Sequence, residues 1–196
     1  MSDIKTICVY CGSSDKLAGN YLLAARQMGA VIARRGLTLA YGAGCTGMMG
    51  ALADGALEAG GQVVGVIPQM FTTPTLMHQG LSRLEIVEDM HMRKQRLVEI
   101  SDAFIALPGG YGTFEELFEV LTWAQIGLHN KPVGLFNVQG YFDPLLSVIE
   151  RARADGFIYA EHRALFVSAS QADTLLDLLS QYQYPQGMDK WLTREE

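Results

Sequence analysis

The sequence is short of the features that mark several large classes of protein. Of its 196 residues only three are cysteines, Cys8, Cys11 and Cys45. An odd and sparse set of this kind builds no disulfide framework. No apolar run reaches the roughly 18 residues that a membrane helix needs. The start, MSDIKTICVY, has no basic segment followed by an apolar signal core. Positive charge is also scarce: 15 Lys and Arg against 21 Asp and Glu leave a net charge of −6. That balance carries no basic footprint for polymeric nucleic acid. His78, His91, His129 and His162 show no metal-ligand spacing, and no second C-x-x-C accompanies Cys8 and Cys11, so no metal site is expected. What remains is the expectation of a soluble, cytoplasmic protein that uses neither membrane nor nucleic acid as a partner.

What is present is an alternation. Apolar residues make up 49% of the chain and charged residues 18%, enough for one sizeable core. Strand-like apolar runs at 4–10, 37–42, 63–67, 83–88, 103–107, 132–137 and 164–169 are separated by helical patterns at 20–36, 47–61, 89–101, 113–127, 141–156 and 171–182. Buried strands divided by helices predict an α/β fold, a parallel sheet with helices on both faces, over residues 1–185. A polar tail, 186–196, follows. Cys8 and Cys11, three apart at the end of a strand, are expected on opposite faces of the sheet. Asp89 is placed to cap the helix after it. The irregular stretch 68–82, broken by two prolines, reads as a functional loop.

Three glycine turns fall at strand ends, where ligands bind such sheets. GAGCTG, residues 42–47 and including Gly44, matches G-x-G-x-x-G. The acidic residue that would hold a dinucleotide's ribose is missing, because the next strand closes VVGVIPQ. The motif therefore serves either a phosphate contact or close helix–strand packing, and argues against NAD. YCGSS offers Gly12 and Ser13 after the first strand. LPGGYGTFEEL, 107–117, is the richest. Thr113 and Glu116 have the T-x-x-E spacing of a capping box, while the glycines before them clear the way for an anion at a helix N-terminus. On a helical wheel Phe114, Leu117, Phe118 and Leu121 face the sheet and Glu116 lies on the far side, with Trp123 near it. An outward Trp123 beside Ile126 favours a subunit interface. In MHMRK, Arg93 is the better anion clamp because its planar fork binds bidentately.

Together PGGYGTFEE and MHMRK resemble the LOG (Lonely Guy) family, cytokinin riboside 5′-monophosphate phosphoribohydrolases whose bacterial members also hydrolyse AMP. The family motif P-G-G-x-G-T-x-x-E is matched by Pro108, Gly109, Gly110, Gly112, Thr113 and Glu116. The likeness extends over at least residues 6–146. It implies a Rossmann-like fold, a homodimer and no cofactor. It implies Arg93 and Glu116 as the catalytic pair. Nucleotide contacts carry over to Lys94, to the stretch Gly110, Tyr111, Gly112, Thr113, Phe114, Glu115 and Glu116, and to Thr122. The old label of lysine decarboxylase given to some members does not suit this chain, which has no lysine in a PLP-binding context. The resemblance also leaves open a non-catalytic nucleotide sensor or carrier. Two departures stand out: Ala43 where the family has a glycine, and Thr75 where many members place a Glu three residues before the loop histidine. The second bears on base or ribose recognition.

Overall fold

A computed structural model describes residues 4–188. In chain order the elements are β1 (Thr6–Tyr10), α1 (Gly19–Arg34), β2 (Thr38–Tyr41), α2 (Gly47–Glu58), β3 (Val63–Pro68), β4 (Arg83–Val87), α3 (Met90–Ile100), β5 (Ala103–Ala106), α4 (Tyr111–Gln125), β6 (Val133–Phe136), α5 (Asp143–Ala154), β7 (Phe166–Ala169) and α6 (Ala172–Ser180). The seven strands form one parallel sheet in the order β4-β3-β2-β1-β5-β6-β7. β1 sits in the middle, pairing Ile7 with Leu39 on one side and with Ala103 on the other. Each predicted strand and helix is present, with ends shifted by a few residues. Within 68–82, Pro68 ends β3, a short 3-10 turn spans Gln69–Phe71, and Met77 makes a single antiparallel bridge to Gly44.

Strand alternation divides the core. Ile7 and Val9 point into a cluster covered by α1, α2 and α6, whereas Cys8 and Tyr10 point into one covered by α3, α4 and α5. Cys8 and Cys11 thus occupy opposite faces as free, buried thiols, as their spacing predicts. Burial pushes the Cys8 and Cys11 thiols up, which leaves them protonated and unreactive. Asp89 caps α3 by accepting from the Met92 N–H at 2.8 Å.

The wheel for α4 needs correction. Its buried residues are Thr113, Glu116, Leu117, Val120 and Ala124, and Phe118 is 44% exposed. The stripe facing the protein is therefore rotated toward Glu116. A wheel weighted by hydrophobicity puts a carboxylate outside, and it cannot see a cation waiting within reach. Trp123 is half-buried and Thr122 exposed. The expected tail also meets the body: Met188 is buried against Ala124 and Leu165, and the rest of that tail, 189–196, lies outside the described residues. Among the described residues no helix is long and apolar enough to cross a membrane.

Candidate active site

Strand order reverses on either side of β1, so the loops after β1 and β5 diverge to opposite faces and leave a crevice between them. Two of the glycine turns meet there. The Gly12 N–H donates to the Pro108 carbonyl at 3.0 Å. A Cβ on Gly12 would lie 3.3 Å from the Gly109 Cα, and one on Gly109 would lie 2.1 Å from the Thr113 Oγ1. Gly109 is thus required for contact between the β5 turn and the first turn of α4. Gly109→Ala is expected to push Thr113 out of place and to weaken phosphate binding at the start of α4 at least about tenfold, in line with the sensitivity of binding to displaced groups. Calorimetric titration checks this; unchanged affinity would show that the turn tolerates the shift.

The third turn joins from β2. The Gly12 carbonyl accepts from both Met48 N–H (3.0 Å) and Met49 N–H (3.3 Å) at the start of α2, and Thr46 Oγ1 donates to the Ser13 carbonyl at 2.8 Å. The GAGCTG glycines serve this packing. Gly44 lies against Met49 and its carbonyl accepts from the Tyr41 hydroxyl at 3.1 Å. Ala43, in place of the family's glycine, keeps the left-handed backbone with φ 59°.

The capping box is not formed. Gly110 occupies the N-cap position of α4 with extended backbone, and no side chain caps the helix. The helix begins two residues before Thr113, so Thr113 lies inside it and turns to Gly109. Glu116 is freed to reach across to α3, where its carboxylate accepts from the Arg93 guanidinium. Both side chains are largely buried. Burial raises the Glu116 pKa above the usual carboxylate range, and the charge and hydrogen bond of Arg93 pull it back. With the folded pKa raised, this group's stabilising contribution is full at low pH and is lost as pH rises through the folded pKa. Arg93 also approaches the β2 turn closely; a Cβ on Gly42 would lie 3.2 Å from its Nη1. Its Nε is buried and lacks a partner among the described residues.

These groups enclose a cavity of about 460 Å³. Gly12, Ser13, Gly110, Tyr111, Gly112, Thr113, Arg93 and Glu116, all expected from the sequence, line it. Gly44, Gly109, Lys94, Phe114, Glu115 and Thr122 do not. Lys94 is engaged by two α4 carboxylates, Glu115 and Glu119, the latter at 2.9 Å. Phe114 stacks on Tyr141 at 6.4 Å, and the Tyr141 hydroxyl donates to the Gly109 carbonyl, so this aromatic pair braces the turn from behind. Tyr10, Gly42, Met49, Phe71 and Met90 line the cavity without having been singled out. Tyr10, Gly42 and Met90 lay within motifs already marked, whereas Phe71 sits in the loop that read as functional, with nothing to single out the residue itself.

Fold and crevice together define a Rossmann-like α/β protein with an anion-ready helix end and a buried Arg–Glu pair at the switch point of its sheet. Within that class the chain belongs to the LOG family. A family model described as "Possible lysine decarboxylase" matches residues 49–179. A rice protein named probable cytokinin riboside 5′-monophosphate phosphoribohydrolase LOGL1 is 48% identical over 90% of this chain and 79% of its own length. The Arabidopsis thaliana cytokinin riboside 5′-monophosphate phosphoribohydrolase LOG1 is 45% identical over 92% and 85%. Among solved structures, the molybdenum cofactor binding protein of Rippkaea orientalis superposes with a TM-score of 0.69 at 24% identity, covering 90% of this chain and 96% of its own. At that identity the likeness is one of fold. As for the decarboxylase description, no lysine lines the cavity to form the imine that PLP chemistry requires.

Proposed function

We propose that the protein hydrolyses the N-glycosidic bond of purine riboside 5′-monophosphates, cytokinin-type or adenine, to the free base and ribose 5-phosphate. The observation that carries this reading is Glu116: a buried carboxylate, paired with Arg93, one turn into a helix whose uncapped N-terminus opens on the same cavity. The phosphate rests on the N–H groups at the start of α4, where helix dipole and missing Cβ atoms favour an anion. That handle fixes the sugar against Glu116. As the C1′–N bond breaks, positive charge grows on the ribose ring, and the carboxylate stabilises it and orients water. The water oxygen bonds to C1′, and its hydrogens end on the new ribose hydroxyl and on the departing base. Arg93 keeps Glu116 in place and offers a cation to the nucleotide.

The direct test is incubation with AMP and with isopentenyladenosine 5′-monophosphate, followed by chromatography for free base. Tight binding without release of either base would replace the enzyme by a nucleotide carrier or sensor. Since the reaction uses the ionised carboxylate, the rate is expected to fall with pH through a pKa above the ordinary carboxylate range. An acid limb at the ordinary value would show that Glu116 is not the group that titrates. We also assign the protein to the cytoplasm and to a homodimer, the latter supported by Tyr111, Phe118 and Leu128, exposed along and just beyond α4 (97%, 44% and 67%). Size-exclusion chromatography with light scattering tests that assembly.

A further inference from the structure

The cavity has more wall than phosphate and ribose require. Its lining divides by element. The β1 turn forms the floor. The α4 N-terminus forms one end, and Arg93 with Glu116 one side. What is left is Gly42 from the β2 turn and three side chains from three different elements: Met49 on α2, Phe71 on the turn after β3, and Met90 at the start of α3. With the phosphate at α4 and the anomeric carbon at Glu116, as proposed above, the base is left to this last wall and to the β1 residues Val9, Tyr10 and Cys11 beside it.

That wall is apolar. All three side chains are half-buried, with surface left open to the cavity. None carries a donor, and the thioethers are weak acceptors. The exocyclic amine of adenine finds no side-chain acceptor there, so the wall does not read it by hydrogen bonding. An apolar substituent on that amine gains by leaving water. Met49 and Met90 are flexible thioethers that adapt to what they touch. Phe71 is the rigid member, and its loop is tied at both ends. Upstream, β3 pairs with β4 through Pro68 and Val87. Downstream, Cys45 N–H donates to the Leu76 carbonyl and His78 N–H to the Ala43 carbonyl, each at 2.9 Å. His78 Nε2 meets Asp54 at 3.0 Å, while Nδ1 accepts from Gly80 N–H, so the ring is held as the Nε2–H tautomer. Thr75, the residue the sequence singled out for recognition, is exposed, bonded to Thr73 and absent from the wall.

We propose that Phe71 is the specificity-determining residue, closing the base end of the cavity over an apolar substituent on the exocyclic amine. This inference rests on the nucleotide hydrolysis proposed above. The test compares kcat/KM for isopentenyladenosine 5′-monophosphate and AMP in the full chain, in Phe71→Ala and in Phe71→Leu. Wild type is expected to favour the isopentenylated nucleotide by about tenfold or more, the scale of discrimination that apolar pockets achieve. Phe71→Ala is expected to cut that ratio at least about fivefold, chiefly through KM for the tailed nucleotide, while Phe71→Leu restores most of it. A ratio unchanged in Phe71→Ala, or an equal loss for both nucleotides, overturns the assignment while leaving the hydrolase intact. If neither nucleotide is cleaved, the hydrolase falls instead, and the ratio of the two dissociation constants in the same three proteins then decides on Phe71.

Discussion

Glu116→Gln is expected to lower turnover by about a thousandfold while the protein keeps its fold, the range attributed to a positioned acid–base group. The structure explains why the two effects separate. Burial is the largest influence on this carboxyl, so an uncharged side chain of the same size suits the site. The amide oxygen still accepts from Arg93, and α4 keeps its first turn because Gly110, not Glu116, stands at its N-cap. Base release and a thermal melt on the same preparation read both effects. Turnover near the wild-type rate would reduce Glu116 to an ion-pair partner of Arg93. A collapsed melting temperature with no turnover would leave chemistry and folding entangled; Glu116→Asp, which keeps the charge but shortens its reach, then separates them.

Gly29→Ala is expected to destabilise the fold by about 3 kcal/mol, the upper end of the usual cost of overpacking. A single methyl matters because α1 and α2 touch backbone to backbone. A Cβ on Gly29 would lie 2.0 Å from the Leu52 carbonyl oxygen, and one on Gly55 would lie 2.1 Å from that of Arg26. Neither oxygen can rotate away as a side chain would, so the helices must part and strip contacts from the core between them. Urea unfolding monitored by circular dichroism measures the change. A loss under about 0.5 kcal/mol, the level of an ordinary surface substitution, would mean that the pair slides without strain.

The fold was legible because its signals are local. Apolar runs, periodic helices and glycine stops are written in consecutive residues, and a parallel sheet is the arrangement that buries such strands on both faces. The site was half legible. Arg93 and Glu116 could be named from motifs, but their pairing spans 23 residues and two helices. Local spacing instead favoured a cap, and it failed because Gly110 had already started the helix. Phe71 was legible only as part of a loop: the stretch 68–82 read as functional, but the residue belongs to no periodic pattern and nothing local singles it out at the crevice. Lys94, which motif matching offers to the nucleotide, is held here by Glu115 and Glu119, partners that its spacing did not announce.

The Gly12 carbonyl leaves the crevice electrically lopsided. By accepting from Met48 and Met49, it neutralises the end of α2 with the protein's own peptide. The end of α4 has no such plug from a side chain. A ligand bearing one terminal dianion finds a single seat, whereas a pyrophosphate that needs two helix ends finds the second already filled. On the proposed reading, a chain that spells a dinucleotide cradle in GAGCTG offers one open helix end, which suits a monophosphate.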